Sequence, residues 1–401
     1  MHSVIVLHHH EIVLKGENRK YFERTLMRNV RAAAAAVGAQ CTVRGGYGKF
    51  ILTPESAGTG DELTGALRRV FGLANICPGV RVDQDPDAIC AAAEGALANV
   101  EFQTIRVDTR RVDKRFPLTS METNARVGAH LCARFGVRAN LTRPDATVSI
   151  ELADGAAYVY SRKIRGAGGL PSGVSGRVVG LLSAGFDSPV ACWQMMKRGC
   201  SVVFVHFHSM PYTGEQSVEQ VRDIVRILTA YQFRSKLYIV PFADVQNDIV
   251  LRTEPSLRII LYRRMMLRIA EKIAGREKAE GLVTGEAVGQ VASQTLRNIR
   301  VIGSAASIPI LRPISGADKE ETIATARLIG THDISSEPSD DCCSFLAPRR
   351  PQTWADPDRV RDQEEKLDIP MLTAMALSGA TIERFRQPLQ DRTEPSSVLH
   401  A

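Results

Sequence analysis

A short turn in the middle of the chain has the residue types of a phosphate-binding loop. Its sequence, LLSAGFDS at residues 181 to 188, follows an apolar run and precedes a helical pattern. Backbone N–H groups, hydroxyls and the positive end of a helix can together hold a pyrophosphate, and here they belong to Ser183, Ala184, Gly185 and Ser188. Asp187 could bind the Mg²⁺ that balances the phosphate charge. The segment matches neither GxxxxGKS/T nor GxGxxG, so its shape alone also allows an ordinary strand-to-helix turn.

Two adjacent cysteines, Cys342 and Cys343, are the second candidate for chemistry. They lie in the polar segment PSDDCCSF, whereas most of the other cysteines lie within apolar patterns. The sequence contains no CxxC pair and no Cys/His zinc spacing, so we expect those others to be buried, reduced thiols. The adjacent pair is therefore the candidate for reactive thiol chemistry.

The composition, with 44% hydrophobic and 24% charged residues, is typical of a globular protein, and 401 residues predict two or three domains. No apolar segment reaches the ~20 residues of a membrane span, and the N-terminus lacks signal-peptide features, which predicts a cytoplasmic protein. Basic charge is concentrated early: residues 1 to 50 contain 8 Lys/Arg against 3 Asp/Glu, and residues 101 to 177 contain 13 against 7. This distribution suits a nucleic-acid backbone binder, although a solvated basic face has the same pattern.

The N-terminal pattern predicts mixed α+β structure. Residues 1 to 75 read as a strand, an amphipathic helix, a hairpin around Gly45 and Gly46 and a second helix, DELTGALRRVFGLANI. Residues 76 to 165 combine two helical segments with three strand-like segments. The glycine-rich linker at residues 166 to 176 is the clearest domain boundary in the sequence.

From residue 177 to 401 the pattern predicts a doubly wound parallel sheet, because apolar strands alternate with longer helices. Such sheets bind ligands at the carboxyl ends of their strands, where the turn SAGFDS falls. His206 and His208 alternate on one strand, and His8 to His10 lack HExxH spacing, so we expect structural histidines rather than metal ligands. The segment after Trp354 reads as two short helices and a polar tail.

The turn SAGFDS resembles the SGGxDS loop of the PP-loop ATP pyrophosphatases, with Ala184 in place of a glycine. Further stretches resemble one family of that superfamily, the tRNA 4-thiouridine synthetases or ThiI-type sulfurtransferases: EIVLKGENRKYFERTL, RRVDKRFPLTSMETN, GAGGLPSGVSG, RRMMLRIA, TGEAVGQVASQTLRN, LRPISGADKEE and IGTHDISSEPSDDCCSF. They occur in family order from residue 11 to about residue 353. The resemblance implies an N-terminal ferredoxin-like domain (1–75), a THUMP RNA-binding domain (76–165) and a catalytic PP-loop domain (177–401).

The resemblance also implies an ATP site with a Mg²⁺ ion. The loop residues Ser183, Ala184, Gly185, Asp187 and Ser188 would hold the phosphates and the metal. The rest of the site would be formed by Leu181, Leu182, His206, Phe207, Gly285, Gln294 and one of Arg263 and Arg264, of which we favour Arg263. Lys319 in GADKEE corresponds to a family lysine near the phosphates, where its charge would offset developing negative charge.

The implied reaction replaces O4 of uridine 8 in tRNA with sulfur. Adenylation of the oxygen releases pyrophosphate, and a cysteine persulfide then displaces AMP from C4. A gapless match places the essential cysteine at Cys342, and a shift of one residue would place it at Cys343. Adjacent cysteines do not readily bridge each other, so a disulfide partner of Cys342 would lie elsewhere.

The sulfur donor and the partners follow from the same resemblance. The segment after Trp354 is too short for the rhodanese domain that some members have, so a cysteine desulfurase or inorganic sulfide is the expected source. A role in sulfur supply for thiamin thiazole is correspondingly less favoured. The tRNA would be held by basic residues of two N-terminal segments: Lys15, Arg19, Lys20, Arg110, Arg111, Lys114 and Arg115.

Two alternatives to this interpretation stay open. One is another AMP-forming PP-loop enzyme that modifies tRNA, although such enzymes lack the KRFPLTSME and GxGGLP stretches. The other is a tRNA-binding protein whose ATP site has decayed, which is suggested by Ala184 in place of the family glycine. A homodimer is compatible with the sequence.

Overall fold

Residues 1–46, 48–55, 60–338, 346, 348, 350–388 and 397–398 are described by a computed structural model. The chain divides into two units, Met1–Gly169 and Leu170–Ala401, each with its own sheet. The division falls inside the glycine-rich segment that the sequence predicts as a linker. In the part of the chain that the structure describes, no helix is long and apolar enough to cross a membrane.

The N-terminal unit is built on one mixed sheet. Its strands are β1 (His2–His8), β2 (Cys41–Gly46), β3 (Lys49–Pro54), β4 (Asn75–Asp83), β5 (Thr104–Arg111), β6 (Arg138–Ala139), β7 (Ala146–Ala153), β8 (Ala156–Tyr160) and β9 (Ile164–Arg165). Its helices are α1 (Arg19–Ala36), α2 (Gly60–Leu67), α3 (Pro86–Leu97) and α4 (Ser120–Phe135), and a 3₁₀ helix spans Glu11–Asn18. The strand order is β2-β3-β1-β4-β8-β7-β5-β6, with β9 paired to β4.

Strand β4 joins the two predicted N-terminal domains into this sheet. It pairs antiparallel with β1 on one side and with β8 on the other. The predicted helix DELTGALRRVFGLANI is therefore wrong in its second half, because α2 ends at Leu67 and β4 begins at Asn75. Gly72, with a φ of 100°, takes a left-handed conformation that no helix continues through. Residues from Asn75 onward instead form a strand, because Ile76 pairs with Leu7 of β1.

A row of buried polar side chains crosses neighbouring strands of the same sheet. The carboxylate of Glu151 on β7 accepts hydrogen bonds from Lys49 Nζ on β3 at 2.8 Å and from His8 Nε2 on β1 at 2.7 Å. The Tyr160 hydroxyl on β8 donates to it at 2.8 Å. Burial raises the pKa of Glu151, but hydrogen bonds and charge from His8 and Lys49 outweigh burial and leave the pKa well below its ordinary value. An ionised carboxylate thus links the first strands of the chain to the later ones.

The C-terminal unit is an α/β structure around a mostly parallel sheet. Its strands are β10 (Arg177–Leu181), β11 (Ser201–His208), β12 (Arg234–Pro241), β13 (Leu282–Val283), β14 (Ile310–Leu311), β15 (Thr381–Arg386) and β16 (Ser397–Val398). Its helices are α5 (Asp187–Lys197), α6 (Gln216–Gln232), α7 (Ala243–Arg252), α8 (Arg258–Glu277), α9 (Leu296–Gly303), α10 (Lys319–Ile329), α11 (His332–Ser336), α12 (Pro357–Glu364) and α13 (Ile369–Ser378). The strand order is β14-β13-β10-β11-β12-β15-β16.

This order puts β10 at the place where the direction of strand addition reverses. From β10 the chain adds β11 and then β12 on one side, and β13 and then β14 on the other, all parallel. The loops that follow β10 and β13 therefore leave the sheet on either side of a crevice at the strands' carboxyl ends, the usual ligand site of such sheets. The predicted doubly wound parallel sheet is confirmed.

The C-terminal tail contains a strand that the sequence pattern did not predict. After the two short helices α12 and α13, β15 pairs antiparallel with β12. Its Glu383 is buried and accepts hydrogen bonds from Arg222 of α6, at 2.6 Å from Nη2 and 3.0 Å from Nε. A charged residue at a buried strand position hides the apolar alternation that would have indicated the strand.

We expect Glu151→Gln to destabilise the N-terminal unit strongly, because it leaves the buried Lys49 ammonium without its counter-charge. Breaking a buried ion pair from one side typically costs about 3–5 kcal/mol. Thermal and urea unfolding of the full chain measure this loss. Since the pKa of Glu151 is lowered in the fold, the wild-type contribution is present above the ordinary glutamate range and is lost as the pH falls through the lowered value.

Glu94→Gln is the matched control, since Glu94 pairs with Arg134 on the surface. A Glu151→Gln protein that unfolds at the same temperature and denaturant concentration as the Glu94→Gln protein would contradict this account of the sheet.

Candidate active site

A cavity of about 430 Å³ opens at the crevice between the loops that follow β10 and β13. Its size is that of a small-molecule site. The residues that line it include most of the positions that the sequence analysis selected: Leu181, Leu182, Ser183, Ala184, Gly185, Asp187, Ser188, His206, Phe207, Arg263, Gly285 and Gln294. Further lining residues had not been selected, namely Ser217, Met266, Leu267, Thr284, Glu286, Gln290, Val291 and Ile302. Several of these stand inside the quoted stretches RRMMLRIA and TGEAVGQVASQTLRN, which was the available signal.

The loop between β10 and α5 is held in shape by the buried hydroxyl of Ser188. That hydroxyl accepts a hydrogen bond from the backbone N–H of Ser183 at 2.9 Å and lies 3.0 Å from Ser183 Oγ. Helix α5 begins at Asp187, so Pro189 lies within its first turn, where the missing N–H costs no helical hydrogen bond. The two serines thus close the turn around the positive end of α5.

Gly285 packs against the backbone of the same loop. A Cβ atom on Gly285 would lie 2.6 Å from the nitrogen of Ser188 and 2.7 Å from the carbonyl carbon of Asp187. No side chain fits at that distance from backbone atoms that cannot turn away. The glycine therefore sets how closely the segment after β13 approaches the start of α5.

Ala184 does not require the conformational freedom of a glycine. Among the described residues, the non-glycine positions with positive φ are Asp154, Phe233 and Lys278, so Ala184 is not left-handed. Its side chain is buried in the cavity wall. The backbone of the loop is therefore compatible with alanine at this position.

The apolar side of the cavity is formed by the ends of β10 and β11. His206 Nδ1 lies 2.9 Å from the carbonyl oxygen of Leu182, and since a carbonyl only accepts, this nitrogen carries the proton. His208 is buried behind the strand end, and burial lowers its pKa. His9, in the N-terminal unit, is buried against the ring of Phe50, and burial lowers its pKa to about 4. These contacts agree with structural roles for the three histidines.

At the partly exposed edge of the cavity, here called its mouth, the lining residue Asp187 pairs with Lys319, which lies outside the lining. Lys319 Nζ lies 3.0 Å from Asp187 Oδ1, and Gln290 Nε2 donates to Asp187 Oδ2 at 2.8 Å. Lys319 is the first residue of α10, whose start is fixed by a capping box between Asp318 and Glu321. The start of α10 thereby places Lys319 against the loop, whose Asp187 lies 132 residues earlier in the chain.

The structure brings Arg263 to the cavity and takes Arg264 away from it. Consecutive residues of a helix point about 100° apart, so the two arginines of α8 face different partners. Arg263 Nη1 donates to Glu286 at 3.0 Å, beside the cavity. Arg264 is buried and forms a two-pronged pair with Glu364 at 2.8 and 2.7 Å. Arg264 is thus withdrawn as a candidate contact, because its donors are already used in the core.

The two candidate sulfur carriers, Cys342 and Cys343, lie outside the described residues. None of the six cysteines that the structure does describe lines the cavity. Burial raises the pKa of Cys77 and of Cys192 to about 12, so these thiols are unreactive at neutral pH. No group of three or more His, Cys, Asp and Glu side chains among the described residues is arranged to hold a metal ion.

The candidate RNA contacts differ in how free they are. Lys20, Arg110, Lys114 and Arg115 are exposed, whereas Lys15, Arg19 and Arg111 are half-buried. Arg111 donates to the backbone oxygens of Asp113 and Lys114, and Arg19 pairs with Glu23 at 2.7 Å. Arg115 is paired with Asp113 at 2.9 Å. Arg111 thus stabilises the loop from which Lys114 and Arg115 project.

Comparison with known proteins decides the family. Residues 173–369 match the family described as thiamine biosynthesis protein (ThiI), residues 4–77 match the ThiI ferredoxin-like domain, and residues 84–162 match the THUMP domain. A probable tRNA sulfurtransferase of Moorella thermoacetica is 39% identical, over 95% of this chain and 97% of that protein. The chain belongs to the ThiI family. The family resemblance and the three-part fold class predicted from the motifs are thereby confirmed.

Two further matches agree with membership of the ThiI family. A probable tRNA sulfurtransferase of Thermus thermophilus is 38% identical over 97% of this chain and 96% of its own length. The crystal structure of a 4-thiouridine synthetase in complex with RNA and bound ATP superposes with a TM-score of 0.88. That protein is 34% identical to this ThiI chain, and the match covers 96% of this chain and all of the other.

We expect Gly285→Ala to lower the thermal stability of the C-terminal unit, because the added methyl forces two backbone segments apart. Overpacking of this kind costs about 1–3 kcal/mol. Hydrogen exchange at Asp187 and Ser188 should speed up in the same variant. Gly316→Ala is the control, since a methyl there meets open space. Equal melting temperatures and equal exchange rates for the two variants would contradict the packing role.

Proposed function

We propose that this protein is an ATP-dependent tRNA uridine sulfurtransferase that produces 4-thiouridine at position 8. The observation that carries the proposal is that the SAGFDS loop, Arg263, Gly285 and Gln294 line one and the same cavity, with Lys319 paired to the loop's carboxylate. Membership of the ThiI family and the similarity to a 4-thiouridine synthetase with bound RNA and ATP support it.

The cavity suits the first half of such a reaction. Adenosine would lie against the apolar wall of Leu181, Leu182 and Phe207, and the phosphates would face the loop and the start of α5. Uridine O4 would attack the α-phosphorus, and the bond to pyrophosphate would break. The charge of Lys319 would stabilise the negative charge that develops on the leaving pyrophosphate. The result is an adenylated uridine with a good leaving group at C4.

Asp187 is the residue that would hold a Mg²⁺ ion arriving with ATP. Mg²⁺ in nucleotide sites commonly uses one or two carboxylates together with substrate phosphates, so one carboxylate beside a phosphate loop fits it. Both oxygens of Asp187 are hydrogen-bonded to Lys319 and Gln290 in the structure. Binding of the ion would exchange one of these bonds, and Lys319 would be released toward the phosphates.

The second half of the proposed reaction belongs to Cys342. Its persulfide would attack C4, expelling AMP and leaving a C4–S–S–cysteine linkage. A second thiol would then attack the cysteine sulfur, forming a disulfide and leaving sulfur on C4. Cys343 is the alternative carrier. A thiol reductant would then reduce this disulfide, and a cysteine desulfurase is the proposed donor of the sulfur that restores the persulfide for the next turnover.

The alternative of a tRNA-binding protein with a decayed ATP site loses the observation that supported it. It rested on Ala184, and the loop backbone at Ala184 is not left-handed. The alternative of a different PP-loop tRNA-modifying enzyme would produce another nucleoside from the same adenylation step. The direct test is to incubate the purified protein with unmodified tRNA, ATP, a cysteine desulfurase with its cysteine substrate and a thiol reductant, and to analyse the nucleosides. Formation of 4-thiouridine together with AMP supports the proposal, and any other thiolated nucleoside supports the rival.

The family's name, thiamine biosynthesis protein, points to a second role, supply of sulfur for thiamin synthesis, which the sequence makes the less favoured of the two. Growth of a deletion strain without thiamin tests it. Growth equal to that of the parent strain would exclude the second role and leave the tRNA proposal unaffected.

Two substitutions separate the two half-reactions. We expect Asp187→Ala to abolish AMP transfer, because it removes the metal ligand and the partner of Lys319. We expect Cys342→Ser to block thiolation while leaving pyrophosphate release largely intact, because the serine cannot carry a persulfide. Pyrophosphate release and 4-thiouridine are measured on the same samples.

Glu320→Ala is the control for Asp187→Ala, since Glu320 is an exposed neighbour of Lys319. Normal turnover by the Asp187→Ala protein would contradict the phosphate role. Thiolation that survives Cys342→Ser and disappears in Cys343→Ser would move the sulfur to Cys343.

Binding of tRNA should depend on the exposed basic residues at the end of β5 and in the loop that follows it. We expect Arg110→Ala and Lys114→Ala each to weaken tRNA binding, and to reduce the dependence of log Kd on log salt by about one, if each residue contacts one phosphate. Filter binding across a salt series measures both. Arg226→Ala, on the exposed surface of α6, should leave the slope unchanged. An unchanged slope in all three variants would place the RNA elsewhere.

A further inference from the structure

One wall of the cavity contains a buried carboxylate, Glu286, that lies within the TGEAVGQVASQTLRN stretch but was not selected as a site residue from the sequence. Glu286, two residues beyond Thr284 in the segment after β13, is 5% exposed. Its Oε1 accepts a hydrogen bond from Arg263 Nη1 at 3.0 Å. Its Oε2 accepts from Arg312 Nε at 2.6 Å and from the hydroxyl of Thr284 at 3.1 Å. A single carboxylate thus fixes two guanidinium groups.

The charges around Glu286 do not cancel. Two arginines and one glutamate leave a net positive charge in a largely buried wall, whereas Lys319 and Asp187 at the mouth compensate each other. Arg312 Nη2 is buried and has no hydrogen-bond partner among the described residues, so Arg312 relies on Glu286 for compensation. The excess charge belongs to Arg263, which lines the cavity with a quarter of its side chain exposed. An anion in the cavity would complete the balance.

We infer that Glu286 is the positioning residue for nucleotide binding: it orients Arg263 so that the free edge of the guanidinium meets a phosphate oxygen of ATP. This inference rests on the proposed function, because it takes ATP as the occupant. A guanidinium binds phosphate in a planar, forked geometry, so its orientation decides whether it contributes. Without the carboxylate, the Arg263 side chain would lose its fixed orientation, and the guanidinium groups of Arg263 and Arg312 would repel each other.

The chain contains a matched arrangement outside the cavity. Glu364 is also buried, and it also accepts hydrogen bonds from two arginines, Arg264 and Arg268. Arg264 and Arg268 lie on the same helix, α8, as Arg263. Unlike Arg263, neither of them lines the cavity, and Glu364 does not line it either. Glu364→Gln therefore controls for the loss of a buried carboxylate as such.

The experiment is calorimetric titration of ATP and, separately, of adenosine into the full chain without tRNA. We expect Glu286→Gln to weaken ATP binding about tenfold or more, because Arg263 would no longer direct its charged hydrogen bonds at a phosphate oxygen. Adenosine has no phosphate, so its binding should stay unchanged. We expect Glu364→Gln to lower the melting temperature while ATP affinity stays within about twofold. Equal ATP affinity in wild type and Glu286→Gln would overturn the inference, as would an equal loss of ATP and adenosine affinity.

Coupling to Arg263 gives the second readout. If Glu286 acts through Arg263, the double variant Arg263→Gln/Glu286→Gln binds ATP as weakly as Arg263→Gln alone, and the two losses do not multiply. Losses that multiply would overturn the positioning role. Glu286→Asp serves if the glutamine variant does not fold. The shorter carboxylate keeps the charge but cannot reach both guanidinium groups, so ATP affinity should still fall, and an unchanged affinity overturns the inference.

Failure of the proposed function is distinguishable from failure of this inference. A wild-type protein that binds no ATP would overturn both. A wild-type protein that binds ATP with no help from Glu286 would overturn the inference alone.

Discussion

The close approach of Gly285 to the backbone of Asp187 and Ser188 is the contact on which the cavity depends. It brings together the segments that follow β10 and β13, the two strands between which the sheet changes its direction of growth. On one side stand the helix start and the serines that close the turn, and on the other stand Thr284, Glu286 and Gln290. Because no Cβ fits between them, these two sets of polar groups face one small space rather than two separate surfaces.

Charge is arranged in that space in two groups with different balances. At the mouth, Lys319 and Asp187 neutralise each other, and both are partly exposed, so their partnership can be exchanged when a nucleotide enters. In the wall, Glu286 is buried and pairs with two arginines, so this group keeps a net positive charge. An exchangeable pair beside a fixed cationic wall suits a substrate that brings several negative charges and leaves as two anionic products.

The N-terminal unit shows which elements the sequence pattern predicts and which it misses. Its helices and most of its strands follow directly from local periodicity, including α4, whose capping box and final glycine mark both ends. Strand β4 was missed because ANICPGV alone has no clear alternation and continues an apparent helix. It becomes a strand because it has a partner on each side, and partners are a property of the folded chain. The same holds for β15, where Glu383 is tolerated only because Arg222 reaches it.

By itself, the sequence determined the family, the fold class and most of the cavity's lining, because each depends on short motifs whose residues are close in the chain. Tertiary structure decided what depends on residues far apart. It assigned Arg263 to the cavity and Arg264 to the core, since only the fold supplies Glu286 to one and Glu364 to the other. It paired Lys319 with Asp187, and it made Glu286 a member of the site. Local sequence patterns indicate a residue's conformation and burial. Its electrostatic partner depends on which distant segment of the chain packs against it in the fold.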